Sequence, residues 1–170
     1  MPILQATAED IPALEALLNS AYRGEEAKKG WTNEADLIEG DIRTDASALH
    51  KLMHSPEAIF LKYINEENII EGCVFLQKKE NRLYLGMLSV SPLIQAKGIG
   101  KQLMTEAEEY ARHKNCTSIF IKVISLRHEL VAWYERKGYR KSGETEPFPA
   151  QDSFGRARQP LEFVIMERVI

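Results

Sequence analysis

Few features of this chain announce a special chemistry or compartment. Cysteine occurs only twice in 170 residues, at Cys73 and Cys116, without CxxC spacing. That argues against a disulfide framework or a thiolate metal site, and both thiols are read as reduced and structural. The histidines at 50, 54, 113 and 128 show no zinc spacing with them, so no metal is expected. No stretch is apolar and long enough to span a bilayer, so no membrane partner is expected. The opening residues, Met-Pro-Ile-Leu-Gln-Ala-Thr, hold no basic region followed by an apolar run. No secretion signal is read there, and a cytoplasmic location is the expectation. Basic residues are not in excess: 22 Lys and Arg against 25 Asp and Glu leave a formal charge of −3. General nucleic-acid binding is therefore disfavoured. No repeat, low-complexity segment or long linker appears. One domain over residues 1–170 is expected, with a core large enough to need no staples.

The informative stretch is residues 88–103, Leu-Ser-Val-Ser-Pro-Leu-Ile-Gln-Ala-Lys-Gly-Ile-Gly-Lys-Gln-Leu. Residues 83–90 suit a buried strand. Ser91-Pro92 ends it, because proline donates no ladder bond and restricts its predecessor. After the glycine loop, Ile99, Leu103, Met104, Ala107, Tyr110 and Ala111 recur at helical spacing. Glycines let the backbone turn tightly and approach a ligand. The N–H groups of the loop and of the first helical turn have no partner within the helix. Such a strand–loop–helix turn is an anion site, with phosphate its usual guest. A turn that merely packs tightly is the plainer reading of two glycines alone.

Known phosphate motifs discriminate further. A P-loop requires Ser or Thr after Gly-Lys and a glycine five residues before its second glycine. Here Gln102 follows Lys101, and Gln95 occupies the first position. The dinucleotide fingerprint requires a third glycine where Leu103 stands. What remains is Gln95-x-x-Gly98-x-Gly100 after a strand ending in Val-Ser-Pro. This resembles the acetyl-CoA loop of the GNAT superfamily of N-acetyltransferases, Arg/Gln-x-x-Gly-x-Gly/Ala. A second stretch, Tyr134-Glu-Arg-Lys-Gly138-Tyr139, is similar to the family's Tyr-x-x-x-Gly-Phe/Tyr motif at the end of the next helix. The resemblance covers roughly residue 3 to the C-terminus. Trp31-Thr32-Asn33-Glu34-Ala35 and Pro147-Phe148-Pro149 look like one widespread branch of the superfamily.

Taken in order, residues 3–6 form a strand, and Thr7 to Asp10 offer caps and negative charge for a helix start. Ile11, Leu14, Leu17, Leu18 and Tyr22 make one helical stripe, and residues 23–30 read as a loop. A second helical region begins at Trp31 with Thr32 as its cap and Leu37, Ile38 and Ile42 as apolar contacts, followed by a piece over 47–54. Strands follow over 58–64, 69–77 and 83–90 at hairpin spacing. The glycine-loop helix reaches about residue 114. A strand covers 118–124, a helix 126–137 with Gly138 as its stop, and strands cover 139–144 and 161–167. Residues 146–160, with three prolines, read as a long loop. The fold class is α/β (α+β). The one helical crossover, between Val90 and Ile119, makes its strands parallel. The resemblance implies a GNAT-like, mixed, mostly antiparallel sheet of about seven strands flanked by helices. It also implies that the two crossover strands splay, admitting the pantetheine arm.

The function implied by the resemblance is transfer of the acetyl group of acetyl-CoA directly to a primary amine. The alternative is a non-catalytic acyl-CoA-binding sensor on the same fold. Gln95, Ala96, Lys97, Gly98, Ile99, Gly100 and Lys101 would hold the pyrophosphate, several donors to a charged group being worth about 1.5–3 kcal/mol each. Lys97 and Lys101 equally suit solvated surface charge. The backbones of Leu88 and Val90 would pair with pantetheine if the strand splays after Leu88. An N–H near Leu88 would face the oxyanion. Tyr134 matches the family's general acid, although spacing alone reads it as packing beside Trp133. Arg127 stands where the family often has asparagine, and is either a cofactor contact or a solvent-facing helix-start residue. His128 is read as a surface or packing histidine. Tyr84 stands where some relatives carry a basic glutamate, so that base is missing. Glu34, Asp36 and Asp152 are conceivable substitutes, each also readable as a helix-start or loop charge. Trp31, Glu34, Phe148, Asp152 and Phe154 would border the acceptor, which is a small molecule or a peptide. Monomer and homodimer both stay open.

Overall fold

The computed structural model describes residues 2–22, 38–39, 44–94, 98–148, 151–152 and 155–170. Strand β1 is Ile3–Gln5, followed by a 3-10 turn at Ala8–Asp10 and helix α1 at Ile11–Tyr22. The Asp10 carboxylate accepts from Thr7 N–H at 2.8 Å, the cap and acid of the sequence satisfying the helix entry together. β2 is Ile38–Glu39 and helix α2 is Ala46–Met53, capped by Asp45, whose side chain accepts from Ala48 N–H. Then come β3 (Ala58–Ile64), β4 (Ile70–Lys79), β5 (Arg82–Val90), α3 (Ile99–His113), β6 (Ser118–Ile124) and α4 (His128–Arg136). β7 (Arg140–Pro147), β8 (Gln151–Asp152), β9 (Gly155–Ala157) and β10 (Glu162–Val169) complete the order.

The main sheet has seven strands in the order β1-β3-β4-β5-β6-β10-β7. Every pairing in it is antiparallel except β5 with β6, so the expected mixed sheet with one crossover is what forms. Apolar side chains cover both faces. Val74, Leu76, Leu83, Leu85, Leu88 and Val90 point into one core with Leu103, Ala107 and Tyr134 of α3 and α4. Cys73, Phe75 and Phe60 point into the other, with Leu14, Leu18, Tyr22 and Leu49 of α1 and α2. Burial on this scale is the main stabilising term.

Two expectations need correction. Ile38, read as part of a helix beginning at Trp31, lies in a strand, paired Ile38↔Ala157 and Glu39↔Arg156 with β9. The stretch read as one loop over 146–160 carries the end of β7 and the short β8 and β9, which with β2 make a separate three-stranded sheet. Both strands of that pairing are too short to display a period of two in sequence. Trp31, Glu34, Asp36, Phe154 and the Gln95–Lys97 part of the glycine loop lie outside the described residues.

Candidate active site at the β5–β6 gap

β5 and β6 pair only at Arg82↔Ser118, Leu83↔Ile119 and Tyr84↔Phe120. β5 nevertheless continues to Val90 and β6 to Ile124. The strands therefore part after Tyr84, four residues earlier than the sequence reading placed the splay. Leu88 and Val90 both lie along the gap. Their side chains are buried in the core, so anything they present to a ligand is backbone.

A β-bulge lies on the same strand. Cys73 pairs with Ser89 and Phe75 with Gly86, so Val74 alone opposes Met87 and Leu88. Met87 has φ of 52°, a left-handed value that a residue with a side chain adopts only under constraint. The extra residue moves the side-chain alternation by one. Leu83 and Leu85 face the α3 side before the bulge, and Leu88 and Val90 after it. The Tyr22 hydroxyl donates to the Leu88 carbonyl at 2.7 Å. That carbonyl, expected to pair with pantetheine, therefore already accepts one hydrogen bond from within the chain and keeps a second lone pair. The Ser89 hydroxyl donates to the Met87 carbonyl at 3.2 Å, and the Cys73 thiol to the same oxygen at 3.7 Å.

Beyond β5 the chain enters α3. Gly98 has φ of 71° and ψ of 18°, conformations glycine reaches without steric cost. Intrahelical bonding starts at Gln102 N–H to Gly98 C=O, 3.0 Å. The N–H groups of Ile99, Gly100 and Lys101 precede it and have no helical acceptor. No acidic side chain sits in the first turn of α3, so the positive end of the helix dipole is not neutralised from its own first turn. Ile99 and Gly100 are buried and Lys101 is exposed. Lys101 and Gly98 line an open cleft of about 450 Å³ with Pro2, Ile3, Gln102, Thr105 and Glu106.

Tyr134 comes from α4. It is 6 % exposed, its ring edge-on to Trp133 at 5.1 Å and to Tyr139 at 5.7 Å. Burial pushes its phenol well above the ordinary value of 10, the neighbouring phenols of Tyr22 and Tyr139 add to this, and the Arg127 guanidinium opposes it. The packing reading and the proton-donor reading are thus both compatible with its position. A phenol held neutral far past physiological pH is a donor, not a base. Tyr22 belongs to the core on the opposite face of the sheet, and its phenol is still near enough to raise that of Tyr134.

Arg127 is the N-cap of α4, partly buried, and its charge reaches Tyr134. It is therefore not a purely solvent-facing residue. His128, the first residue of α4, is exposed. Tyr84 lies beside the vertex of the gap, its ring 5.4 Å from Phe120 and 6.3 Å from Phe75, with Lys79 and Lys122 ammoniums 5.6 and 5.7 Å from its centroid. Its ring leans over Gly86, where any Cβ would come within 2.6 Å of the Tyr84 hydroxyl. Lys122 also pairs with Glu146 at 3.1 Å, and Phe148 stacks at 5.1 Å on Phe163. Asp152 lies in β8. Tyr22, Ser89 and Cys73 are the residues that sequence reasoning did not connect to the site. A phenol at the end of an otherwise aliphatic stripe was the available signal for Tyr22. The slip in alternation between Leu85 and Leu88 was the signal for the bulge.

The chain is similar to characterised proteins along its length. The model of the acetyltransferase (GNAT) family matches residues 12–139. An N-acetylaspartate synthetase of Danio rerio is 29% identical over 124 residues, 68% of this chain and 43% of that protein. The chain spans about half the length of the curated relatives it matches. Among solved structures, a ribosomal-protein-alanine N-acetyltransferase of Brucella melitensis superposes with a TM-score of 0.72 at 19% identity, covering all of both chains. The PaiA N-acetyltransferase of Thermoplasma acidophilum, solved in complex with coenzyme A, gives 0.67 at 19% identity over 99% of this chain and 98% of that one. Two glycine-loop and tyrosine motifs, a parted parallel pair of strands and a family model covering most of the chain agree: the chain belongs to the GNAT family of acetyltransferases.

Proposed function

We propose that this single domain transfers the acetyl group of acetyl-CoA to a primary amine, without a covalent enzyme intermediate. The observation that carries the reading is the gap itself, where two parallel strands leave each other after three paired residues beside a helix with no acidic side chain in its first turn. A parted strand offers pantetheine amides a partner like a sheet edge, which the stretch of β5 beyond its last pair with β6 supplies. Gly98, Ile99, Gly100 and Lys101 hold the pyrophosphate through backbone N–H groups, with Gln95, Ala96 and Lys97 completing the loop. Arg127 contributes a cation near the reacting end, where its planar fork suits a phosphate or carboxylate better than the asparagine it replaces.

The amine nitrogen attacks the thioester carbonyl, the C–N bond forms and negative charge develops on oxygen. The Leu88 N–H faces that charge. As the C–S bond breaks, Tyr134 gives its proton to sulfur, the nitrogen loses a proton to water, and the phenolate takes a proton back from solvent. An alkylamine of pKa ~10.4 is deprotonated at pH 7 only at a cost of roughly 4–5 kcal/mol. Tyr84 supplies no carboxylate to offset this. The route to water, or an acceptor amine of lower pKa, carries that step. The acceptor side is walled by Tyr84, Lys122, Glu146 and Phe148 among the described residues. The domain works in the cytoplasm, as a monomer or homodimer.

The test is thiol release from acetyl-CoA across a panel of small amines and peptides. Saturable turnover with one of them supports the reading. Tight CoA binding with no turnover by any amine would favour a non-catalytic acyl-CoA sensor, a reading the missing carboxylate at Tyr84 keeps in play.

A further inference from the structure

We propose that Ser89 and Cys73, with Tyr22 beside them, form a buried clamp that aims the Leu88 N–H into the β5–β6 gap. This rests on the acetyltransferase reading above, and adds residues that neither motif contains. Met87 and Leu88 share one planar trans peptide, so the Met87 carbonyl and the Leu88 N–H point in roughly opposite directions. Two donors hold the carbonyl end. The Cys73 thiol reaches it from the neighbouring strand β4, and the Ser89 hydroxyl from two residues along β5. The N–H end is thereby turned away from β4, towards the side on which β6 has left the sheet. The next peptide is held too, because the Tyr22 hydroxyl takes the Leu88 carbonyl. Leu88 is thus fixed on both sides.

The two side chains that hold the Met87 carbonyl are both buried. Ser89 and Cys73 are both 0 % exposed and sit opposite each other in the strand register. A buried hydroxyl in a sheet core costs stability unless it is bonded, and this one spends its proton on the Met87 carbonyl. Burial pushes the Cys73 thiol up to about 12, against a smaller opposing pull from Ser89, so it stays protonated and able to donate. Donation to a carbonyl polarises the amide and strengthens its N–H as a donor. The left-handed φ of Met87 is the backbone distortion this arrangement maintains. Strain of that kind persists only where surrounding contacts over-determine it. Ser89 and Cys73 are positioning residues, since they act through the peptide and do not touch substrate.

The experiment compares wild type with Ser89→Ala, Ser89→Thr, Cys73→Ala, the Ser89→Ala/Cys73→Ala pair and Tyr22→Phe. Acetyl-CoA turnover with the best amine of the panel and CoA binding are measured on each. Losing an oxyanion donor outright costs about 10²–10³ in kcat, and misaiming it costs less. We expect kcat to fall about tenfold in Ser89→Ala and further in the pair. The KM for acetyl-CoA and the CoA affinity stay within twofold of wild type, and Ser89→Thr, which keeps the hydroxyl, restores most of the rate. Tyr22→Phe, which changes no β5 side chain, lowers kcat in the same selective way and serves if the Ser89 variant folds poorly. Unchanged kcat across the set overturns the clamp, as does a rate that falls only in step with CoA affinity. A wild type that neither binds CoA nor turns over any amine overturns the underlying reading instead, and the clamp falls with it.

Discussion

Replacing Tyr134 by Phe removes one oxygen from a residue whose ring is fully packed. The ring contacts with Trp133 and Tyr139 at 5.1 and 5.7 Å survive the change, and among the described residues no protein hydrogen bond of the hydroxyl is lost. Fold stability should therefore move by less than about 1 kcal/mol. The kinetic effect is set by the leaving group. A thiol with an ordinary pKa of ~8.5, leaving as thiolate at pH 7, stands about 2 kcal/mol above the protonated product. A well-placed proton donor recovers most of that, so the variant should lose about thirtyfold in kcat at pH 7. The Tyr134 phenol is held well above 10 by burial first and by neighbouring phenols second. It stays protonated at pH 9, so the wild-type rate has no alkaline limb from this group below that pH. The deficit of the variant holds steady over this range, because the phenol stays protonated and unassisted departure as thiolate takes no proton from solvent. Thiol release measured from pH 6.5 to 9.5, with CoA binding in parallel, reads all of this. A variant within twofold of wild type at pH 7 would return Tyr134 to a packing role.

Other consequences are as concrete. Gly98→Ala places a Cβ at φ of 71°, which costs about 1–2 kcal/mol. It should lower the melting temperature by a few degrees and weaken CoA binding; unchanged values of both would remove the loop geometry from the account. Burial pushes Asp10 up, but the Thr7 N–H and the Lys62 ammonium outweigh it and leave its pKa below 3.8. Its depressed folded pKa means its stabilisation is present above pH ~4 and lost as pH falls through the folded value. Chemical denaturation should show the gap between wild type and Asp10→Asn closing below pH 4, and a gap that widens there refutes the pairing. Cys73 and Cys116 are both buried, so a thiol reagent at pH 8 should find neither in the native protein and both in denaturant. Leu103→Ala opens a cavity at a fully buried position and should cost about 2–5 kcal/mol in urea unfolding.

Much of the architecture was legible because the period matched the element. The strands at Ala58–Ile64 and Ser118–Ile124 lie where the sequence reading put them, since β-branched and aromatic runs bounded by turn residues leave little choice. Gly138, at φ of 95°, ends the helix carrying Tyr134 as expected. The pairing of Ile38 with Ala157 was not legible, because strands of two and three residues contribute no pattern and they lie more than a hundred residues apart. Of the candidate site, Gly98 and Tyr134 could be singled out by motif, since each meets a local demand. The point where β5 and β6 part could not, because separation of strands is a tertiary event. Tyr22 looked like the last rung of an apolar stripe, and its ring does belong to the core. Only the fold brings its hydroxyl to Leu88, 66 residues away in sequence.

Titration of CoA into the protein by calorimetry tests the central claim most directly. The account predicts one site per chain, competition by acetyl-CoA, and no competition by ATP or NAD. Absence of CoA binding under conditions where the protein is folded would contradict the assignment of the β5–β6 gap and of the loop ending at Gly100.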